Sequence, residues 1–295
     1  MKREDLTIFE YRLGKEIKYT DIVKKERALK RTQKISYYAE NIGYIDGYIY
    51  RPGNSKNEIL PVIFNFHGGG MVLGYCEQDG EYCQLIADLV HAAVVNVDYP
   101  LAPEYKYPLP VEGTYSFLEQ FMEDTSAYHI SNTGISFMGH SAGGYLAASL
   151  CVMNAEKRKL NIRAMALNYP LLSQKEDPSE RPAEDPSKAI SLNRMQQYFH
   201  WYFNNPSEAD ELLASPGDAD ATFFPPTLIN AASYDSLCAE ETEFANKLHC
   251  ANIETEFYLY QGCMHGFTHS CFDEYDAENA SLSWEKTAAF LRRHV

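Results

Sequence analysis

Short apolar runs alternate with amphipathic stretches along most of the chain. Six short, mostly apolar runs predict strands, and helical patterns lie between most of them. The strands are predicted at 60–66, 92–98, 134–138, 163–168, 227–232 and 254–260, and the helices near 80–91, 109–123, 141–154, 239–251 and 277–293. Strands that alternate with helices join by right-handed crossovers, so the pattern predicts a mostly parallel sheet covered by helices on both faces.

Two runs rich in Tyr and Ile precede this alternation. They lie at 33–41 and 44–51 and are joined by a short turn, which predicts an antiparallel pair at the start of the sheet. The expected fold is therefore α/β, with eight strands in one domain that spans 1–295.

Two segments interrupt the pattern. Residues 1–32 are charged and helix-prone, and residues 171–224 carry five prolines and an aromatic cluster. An ordered insertion of this length is usually functional, so we expect 1–32 and 171–220 to form one cap over the carboxyl ends of the strands. Tyr198, Trp201 and Tyr202 of the cluster are candidate substrate contacts; packing between cap and body would explain them equally well.

The net charge of the chain is −15. Nucleic-acid binding needs clustered Lys and Arg, and anionic membranes repel an acidic chain, so neither is an expected partner. No apolar run approaches the roughly 20 residues of a transmembrane helix, and the first residues show no signal peptide. Seven cysteines without a C-x-x-C pair indicate reduced thiols, and we expect a cytoplasmic protein.

Residues 139–143 match the pattern G-x-S-x-G, which alone would occur by chance in roughly one chain in ten. Here an apolar run precedes the match and an Ala-rich stretch follows it, which predicts a strand, a sharp turn and a helix. Such a turn needs small residues beside Ser141 and raises its hydroxyl at a helix N-terminus. Ser141 is the predicted nucleophile; a serine that only caps the helix is the alternative.

Three glycines follow His67, where the strand at 60–66 ends. Glycine backbone can approach a ligand closely, and inward-turned N–H groups stabilise the oxyanion of acyl transfer. We predict the N–H groups of Gly69, Gly70 and Ala142 as these donors. A flexible loop or a phosphate site is the alternative, but residues 71–73 lack the Lys and the Ser or Thr that phosphate loops use.

A nucleophilic serine needs a base and an orienting carboxylate. Asp235 and His265 follow the strands at 227–232 and 254–260, so both leave carboxyl ends of parallel strands, where such sheets place their sites. The order Ser141, Asp235, His265 is one of the known orders of a serine triad. These three residues are the predicted catalytic set.

Other acidic and histidine residues are weaker candidates. Asp218 and Asp220 precede their strand, and we expect Glu240 to support the loop after Asp235. A metal pair of His265 and His269 is disfavoured because Gly266 makes a helix there improbable. We expect neither metal nor cofactor.

These motifs together resemble the hormone-sensitive-lipase-type branch of the α/β-hydrolases. Residues 98–104, Asp-Tyr-Pro-Leu-Ala-Pro-Glu, are similar to that family's D-Y-x-L-A-P-E segment, and Pro225-Pro226-Thr227 is also similar. The likeness covers roughly 60–275. It implies the α/β-hydrolase fold, a helical cap, and an ester hydrolase for small or medium acyl groups. Met71 stands where an aromatic residue is common and puts acyl preference in doubt, while Gly113 stands where Asp is frequent.

The expected activity is that of a serine carboxylesterase that forms an acyl-enzyme on short- to medium-chain esters. Its substrate is a small-molecule ester, and acetylated compounds or glycans are candidates because the cap aromatics could stack on a sugar. An amidase, peptidase or thioesterase would use the same triad and stays open. A non-catalytic receptor on this fold is disfavoured by the presence of His265. The edge strand at 254–260 could also pair across a homodimer.

Overall fold

A computed structural model describes residues 7–55, 57–175 and 181–295. In this part of the chain the strands form one eight-stranded sheet, and α-helices connect most of them. The strands are β1 (Gln33–Ala39), β2 (Gly43–Tyr50), β3 (Leu60–Phe66), β4 (Ala93–Asp98), β5 (Ile130–His140), β6 (Ile162–Asn168), β7 (Thr227–Ala232) and β8 (Thr255–Tyr260). The helices are α1 (Ile8–Leu29), α2 (Gly80–Val90), α3 (Leu109–Glu123), α4 (Ala142–Lys157), α5 (Leu192–Tyr202), α6 (Cys238–Cys250) and α7 (Ala277–His294).

The strands lie in the order β1-β2-β4-β3-β5-β6-β7-β8. β2 pairs antiparallel with β1 and with β4, and the later pairings are parallel. The predicted eight-stranded, mostly parallel sheet is confirmed. β8 lies at one edge, where the predicted homodimer would need it, and that dimer stays a prediction.

β5 is longer than the strand predicted at 134–138. It starts at Ile130 and pairs there with Leu60, and its register then shifts before Val62 pairs with Ile135. The additional residues include exposed polar side chains at 132 and 133. A search for continuous apolar residues does not detect such a strand start, because only the later part of β5 is covered on both faces.

Alternate residues of the central strands enter two separate cores. Phe64 and Val95 face a core shared with α3, α4 and α6, whereas Ile63 and Val94 face a core shared with α2 and α7. This two-residue period follows from the pleat, which points successive side chains to opposite faces. Because both faces are covered, the carboxyl ends of the strands remain as the place where loops meet.

The two segments outside the alternation contact each other. α1 begins at a capping box formed by Thr7 and Glu10, which satisfies the first free N–H groups of the helix. The ring of Tyr11 stacks on Trp201 of α5, and its hydroxyl lies 2.5 Å from that of Tyr198. Parts of the predicted cap, 1–6 and 176–180, lie outside the described residues. No helix in the described ranges combines the length and apolarity needed to cross a membrane.

Candidate active site

Ser141 lies in a strained turn between β5 and α4. Its backbone has φ 54° and ψ −117°, outside the regions that L-residues usually adopt. A Cβ on Gly143 would lie 1.9 Å from the Phe66 carbonyl oxygen, and one on Gly139 would lie 2.4 Å from the Gly143 oxygen. Glycine at both positions is therefore a steric requirement, which is the physical content of the G-x-S-x-G match.

The structure brings the three predicted triad residues into one hydrogen-bonded chain. The Ser141 hydroxyl donates to Nε2 of His265 across 2.8 Å, and Nδ1–H of His265 donates to Oδ2 of Asp235 across 2.5 Å. The Asp235 side chain is fully buried, whereas that of His265 is 19% exposed and faces the cavity. This arrangement fixes the imidazole tautomer that can accept a proton from serine.

Asp235 has a second carboxyl group close by in Glu241. Both side chains are fully buried, and within the described chain neither carboxyl oxygen of Glu241 has a hydrogen-bond partner. Burial raises the pKa of Glu241 well above its usual value, and the charge of Asp235 raises it further. The His265 imidazole pairs with Asp235, and the carboxyl of Glu241 lies beside that pair in a buried site that disfavours its charged form.

The loop that follows β3 passes directly over Ser141. A Cβ on Gly68 would lie 3.6 Å from Cβ of Ser141. Gly69 and Gly70 have φ values of 131° and 62°, which favour glycine. In the described part of the chain, the N–H groups of Gly69, Gly70 and Ala142 donate to no backbone carbonyl. All three residues line the cavity together with Ser141, so the predicted donors are free and adjacent to it.

Residues 98–104 hold this glycine loop in place. The Tyr99 hydroxyl donates to the His67 carbonyl across 2.7 Å, and the Tyr99 ring stacks on the His67 ring with centroids 4.2 Å apart. The Ala102 N–H donates to the Met71 carbonyl across 2.9 Å. The D-Y-x-L-A-P-E segment therefore acts on the site through the backbone of the glycine loop.

Arg12 of α1 is a contact that sequence reasoning missed. Its guanidinium donates to the carbonyls of Val72 and Ala102 at 2.8 and 2.6 Å, and to both carboxylate oxygens of Glu104 at 2.6 and 2.8 Å. One side chain thus ties α1 to the glycine loop and to the segment that supports it. No spacing in the sequence signals this contact.

A cavity of about 390 Å³ opens beside Ser141. Of the predicted substrate contacts, Met71, Tyr198 and Tyr202 line it. Trp201 is not among the lining residues: its ring stacks on Tyr11 with centroids 5.6 Å apart. Some residues of the aromatic cluster therefore line the cavity, and others pack within the cap segments. The sequence had left both roles open.

The weaker carboxylate candidates have other partners. Glu240 accepts from the Leu172 N–H and pairs with Arg181, as expected for a supporting residue. Asp218 pairs with Lys175 across 2.8 Å, and Asp220 accepts from the Thr222 N–H. None of these contacts reaches His265.

A buried polar network under the turn at Ser141 also escaped sequence reasoning. Asp79, His140 and His269 lie together with ligand-type atoms within 4.8 Å of one another. Hydrogen bonds use the ring nitrogens of both histidines. His140 accepts from Asn168 (2.9 Å) and donates to Asn65 (3.0 Å). His269 accepts from Thr268 (2.8 Å) and donates to Asp79 (3.2 Å).

Electrostatics fit this pattern of donors and acceptors. Burial lowers the pKa of His140 to about 3, so its ring is neutral. Burial alone would raise the pKa of Asp79, but the hydrogen bond from His269 opposes burial, and the pKa lies below its ordinary value. The cluster is accounted for as one buried carboxylate beside two histidines whose ring nitrogens are all in hydrogen bonds. His269 belongs to this network, and His265 belongs to the serine site.

Comparisons with known proteins agree with this architecture. A sequence model of a family described as alpha/beta hydrolase fold matches residues 63–269. The chain belongs to the α/β-hydrolase family. An esterase of Gibberella moniliformis is 28% identical over 225 residues, covering 74% of this chain and 70% of that protein. An acetyl esterase of Salmonella schwarzengrund is 26% identical over 224 residues, covering 75% and 68%.

Solved structures give the same result over nearly the whole chain. An esterase of Pyrobaculum calidifontis superposes with a TM-score of 0.86 at 29% identity, covering 99% of this chain and 94% of that one. A thermostable carboxylesterase cloned from a metagenomic library superposes with a TM-score of 0.83 at 27% identity, covering 98% and 97%. These matches confirm the α/β-hydrolase fold, the hormone-sensitive-lipase-type resemblance and a carboxylic ester hydrolase.

Proposed function

We propose that this α/β-hydrolase is a serine carboxylesterase that hydrolyses short- to medium-chain acyl esters through an acyl-enzyme on Ser141. The observation that carries the proposal is the continuous hydrogen-bonded chain from Ser141 through His265 to Asp235, beside three free N–H groups. A capping serine would need neither a histidine at its hydroxyl nor free donors in the loop above it.

Each step of acyl transfer has a residue in position. His265 takes the hydroxyl proton as Ser141 Oγ bonds to the ester carbonyl carbon, and the N–H groups of Gly69, Gly70 and Ala142 stabilise the oxyanion. Asp235 stabilises the imidazolium. His265 then protonates the leaving alcohol, and water repeats the sequence on the acyl-enzyme to release the acid and restore Ser141.

The cavity and the relatives support a small acyl group. A volume of about 390 Å³ lies near the lower end of small-molecule sites. One relative is named an acetyl esterase, and another, from Dothistroma septosporum, a versiconal hemiacetal acetate esterase. Acetylated small molecules are therefore the first substrates to screen. The hypothesis that cap aromatics stack on a glycan is weakened, because the Trp201 ring is already stacked on Tyr11.

The first test is hydrolysis of p-nitrophenyl esters from acetate to palmitate by the wild type and by Ser141→Ala. We expect a maximum at two to four acyl carbons and a fall in kcat on the order of 10⁶ in the variant, as in other triads. A variant that keeps more than about a tenth of the activity would contradict the assignment of Ser141. Hydrolysis of matched amides or thioesters with no hydrolysis of esters would favour the amidase, peptidase or thioesterase alternative.

A further inference from the structure

The described part of the cavity wall carries more positive than negative charge, although the chain carries −15 overall. Among the residues that the structure describes, five cationic side chains line it against two carboxylates. The cations are Lys15, Lys18, Arg181, Lys188 and Arg194, and the carboxylates are Asp273 and Glu274. The local excess of positive charge runs against the composition of the chain, so the cations need an explanation of their own.

Three of the cations are already paired. Arg181 pairs with Glu240, Lys18 lies 3.2 Å from Asp273, and Lys188 lies 3.7 Å from Asp185. Lys15 and Arg194 differ from them: in the described ranges neither has a carboxylate oxygen within 4.0 Å. These two side chains are contributed by α1 and α5, which contact each other through Tyr11 and Trp201 and both line the cavity.

The Arg194 guanidinium is held in place with part of its hydrogen-bonding capacity unused. Its central carbon lies 3.8 Å from the centroid of the Tyr11 ring and 5.8 Å from that of Tyr198. Its Nη1 nitrogen is buried and, within the described chain, has no hydrogen-bond partner. Stacking on Tyr11 accounts for the position of the side chain, but it leaves a buried donor unsatisfied, which is costly.

Arg194 is close to the reacting centre. The Tyr198 ring, over which the guanidinium lies, is in direct contact with Gly70: a Cβ on Gly70 would lie 2.6 Å from that ring. Tyr198 is thus a neighbour of both the Arg194 guanidinium and the glycine loop. An extended substrate with its carbonyl at Ser141 could reach it within the same cavity.

Lys15 adds a second charge to the same region. Its Nζ lies 5.9 Å from the Tyr11 ring centroid, so Lys15 and Arg194 flank one tyrosine. Burial lowers the pKa of Lys15, and repulsion from Lys18 and Arg194 lowers it further, against a weaker opposite effect of Glu274 and Asp273. Two like charges on a cavity wall are unfavourable unless an anion lies between them.

We propose that the cavity is specific for esters that carry a carboxylate elsewhere in the molecule, which Arg194 and Lys15 bind while Ser141 attacks the ester carbonyl. This inference rests on the proposed esterase function and names its substrate class. A planar guanidinium with a free Nη1 is suited to a carboxylate, and a charge-assisted hydrogen bond is stronger than a neutral one.

Two matched pairs of esters test the preference and show which side of the ester carries the charge. For the acyl side, mono-p-nitrophenyl adipate is compared with its methyl ester. For the alcohol side, 4-carboxyphenyl acetate is compared with 4-(methoxycarbonyl)phenyl acetate. We expect a higher kcat/KM for the anionic member of at least one pair, with a preference that shrinks as ionic strength rises.

The variant Arg194→Gln keeps a planar polar group and removes the charge. We expect the anionic-to-neutral ratio of kcat/KM to fall on the order of tenfold, mainly through KM, and to recover in part in Arg194→Lys. Arg292→Gln is the matched control, since Arg292 is exposed in α7 and does not line the cavity. It makes the same change in net charge and leaves the ratio unchanged.

If Arg194→Gln fails to fold, inhibition of the wild-type protein tests the proposal instead. Adipate monoamide, which keeps one carboxylate, is then compared with uncharged adipamide as an inhibitor of p-nitrophenyl butyrate hydrolysis, and the proposal requires stronger competitive inhibition by the anion. Equal hydrolysis of both members of both pairs, or an equal loss for both in Arg194→Gln, overturns the proposal and leaves the esterase function standing. No ester hydrolysis at all would instead refute the proposed function.

Discussion

Arg12 offers a quantitative test of how α1 is joined to the glycine loop. Arg12→Met keeps most of the side-chain length and removes the charge and all four hydrogen bonds. Two of those bonds go to the carbonyls of Val72 and Ala102, and two go to the carboxylate of Glu104. We expect the two kinds of contact to contribute differently to the free energy of unfolding, so two variants can separate their contributions.

We expect the hydrogen bonds to the two carbonyls to contribute more to stability than the ion pair with Glu104. The Arg12 side chain is 24% exposed and that of Glu104 is 50% exposed, so solvent screens the ion pair, which contributes roughly 0–1 kcal/mol. Hydrogen bonds from a charged donor contribute about 1.5 kcal/mol each at the low end of their range. We therefore expect Arg12→Met to lower the free energy of unfolding by about 3 kcal/mol, and Glu104→Gln by less than about 1 kcal/mol.

The same variants should differ in activity. Val72 donates its N–H to the Gly69 carbonyl across 3.1 Å, so freeing the Val72 carbonyl loosens the turn that presents the oxyanion donors. We expect kcat for p-nitrophenyl butyrate to fall on the order of tenfold in Arg12→Met and little in Glu104→Gln. Urea unfolding followed by circular dichroism gives the stabilities. Equal losses in the two variants would show that the ion pair, not the carbonyl contacts, makes the connection.

Two further predictions concern buried groups beside the site. Because the pKa of Glu241 is raised in the folded state, folding binds a proton there and stability falls as pH rises above the unfolded value of about 4.3. Glu241→Gln should remove this loss of stability. The free energy of unfolding of the variant, measured with urea, should therefore exceed that of the wild type by about 1.4 kcal/mol more for each pH unit while the folded carboxyl stays protonated. A difference between variant and wild type that stays constant from pH 5 to 8 would contradict this. Gly143→Ala places a Cβ 1.9 Å from the Phe66 oxygen, so it should yield little folded protein or lower the free energy of unfolding by more than about 3 kcal/mol. Gly53→Ala, where no atom lies within 4 Å of the added carbon, should stay within about 0.5 kcal/mol by thermal unfolding.

The three residues that sequence reasoning grouped as a catalytic set each lie in the loop or turn after a strand. Ser141, Asp235 and His265 come after β5, β7 and β8, and a parallel sheet brings the carboxyl ends of its strands to one edge. The order of elements and the local motifs were therefore enough to assemble the hydrogen-bonded set. Strand bounds were less accurate where polar residues begin a strand, as in β5.

The contacts that were missed join distant residues with no local pattern. Arg12 meets Val72, and Asp79 meets His269, only because the completed fold brings α1 and the loops after β3 and β8 together. An aromatic residue such as Trp201 has the same signature whether it lines a cavity or packs on another ring. Its position depends on where α1 lies, and one sequence does not encode that in any short motif.

The measurement that tests the central claim most directly is covalent labelling of the nucleophile. The protein is incubated with a p-nitrophenyl alkylphosphonate, whose phosphorus accepts the serine oxygen and releases p-nitrophenol, and the adduct is located by peptide mass spectrometry. We predict one phosphonyl group per chain, carried by Ser141, with one equivalent of p-nitrophenol released and no label in Ser141→Ala. A label on another residue, or equal labelling of Ser141→Ala, would contradict the assignment of Ser141 as the nucleophile.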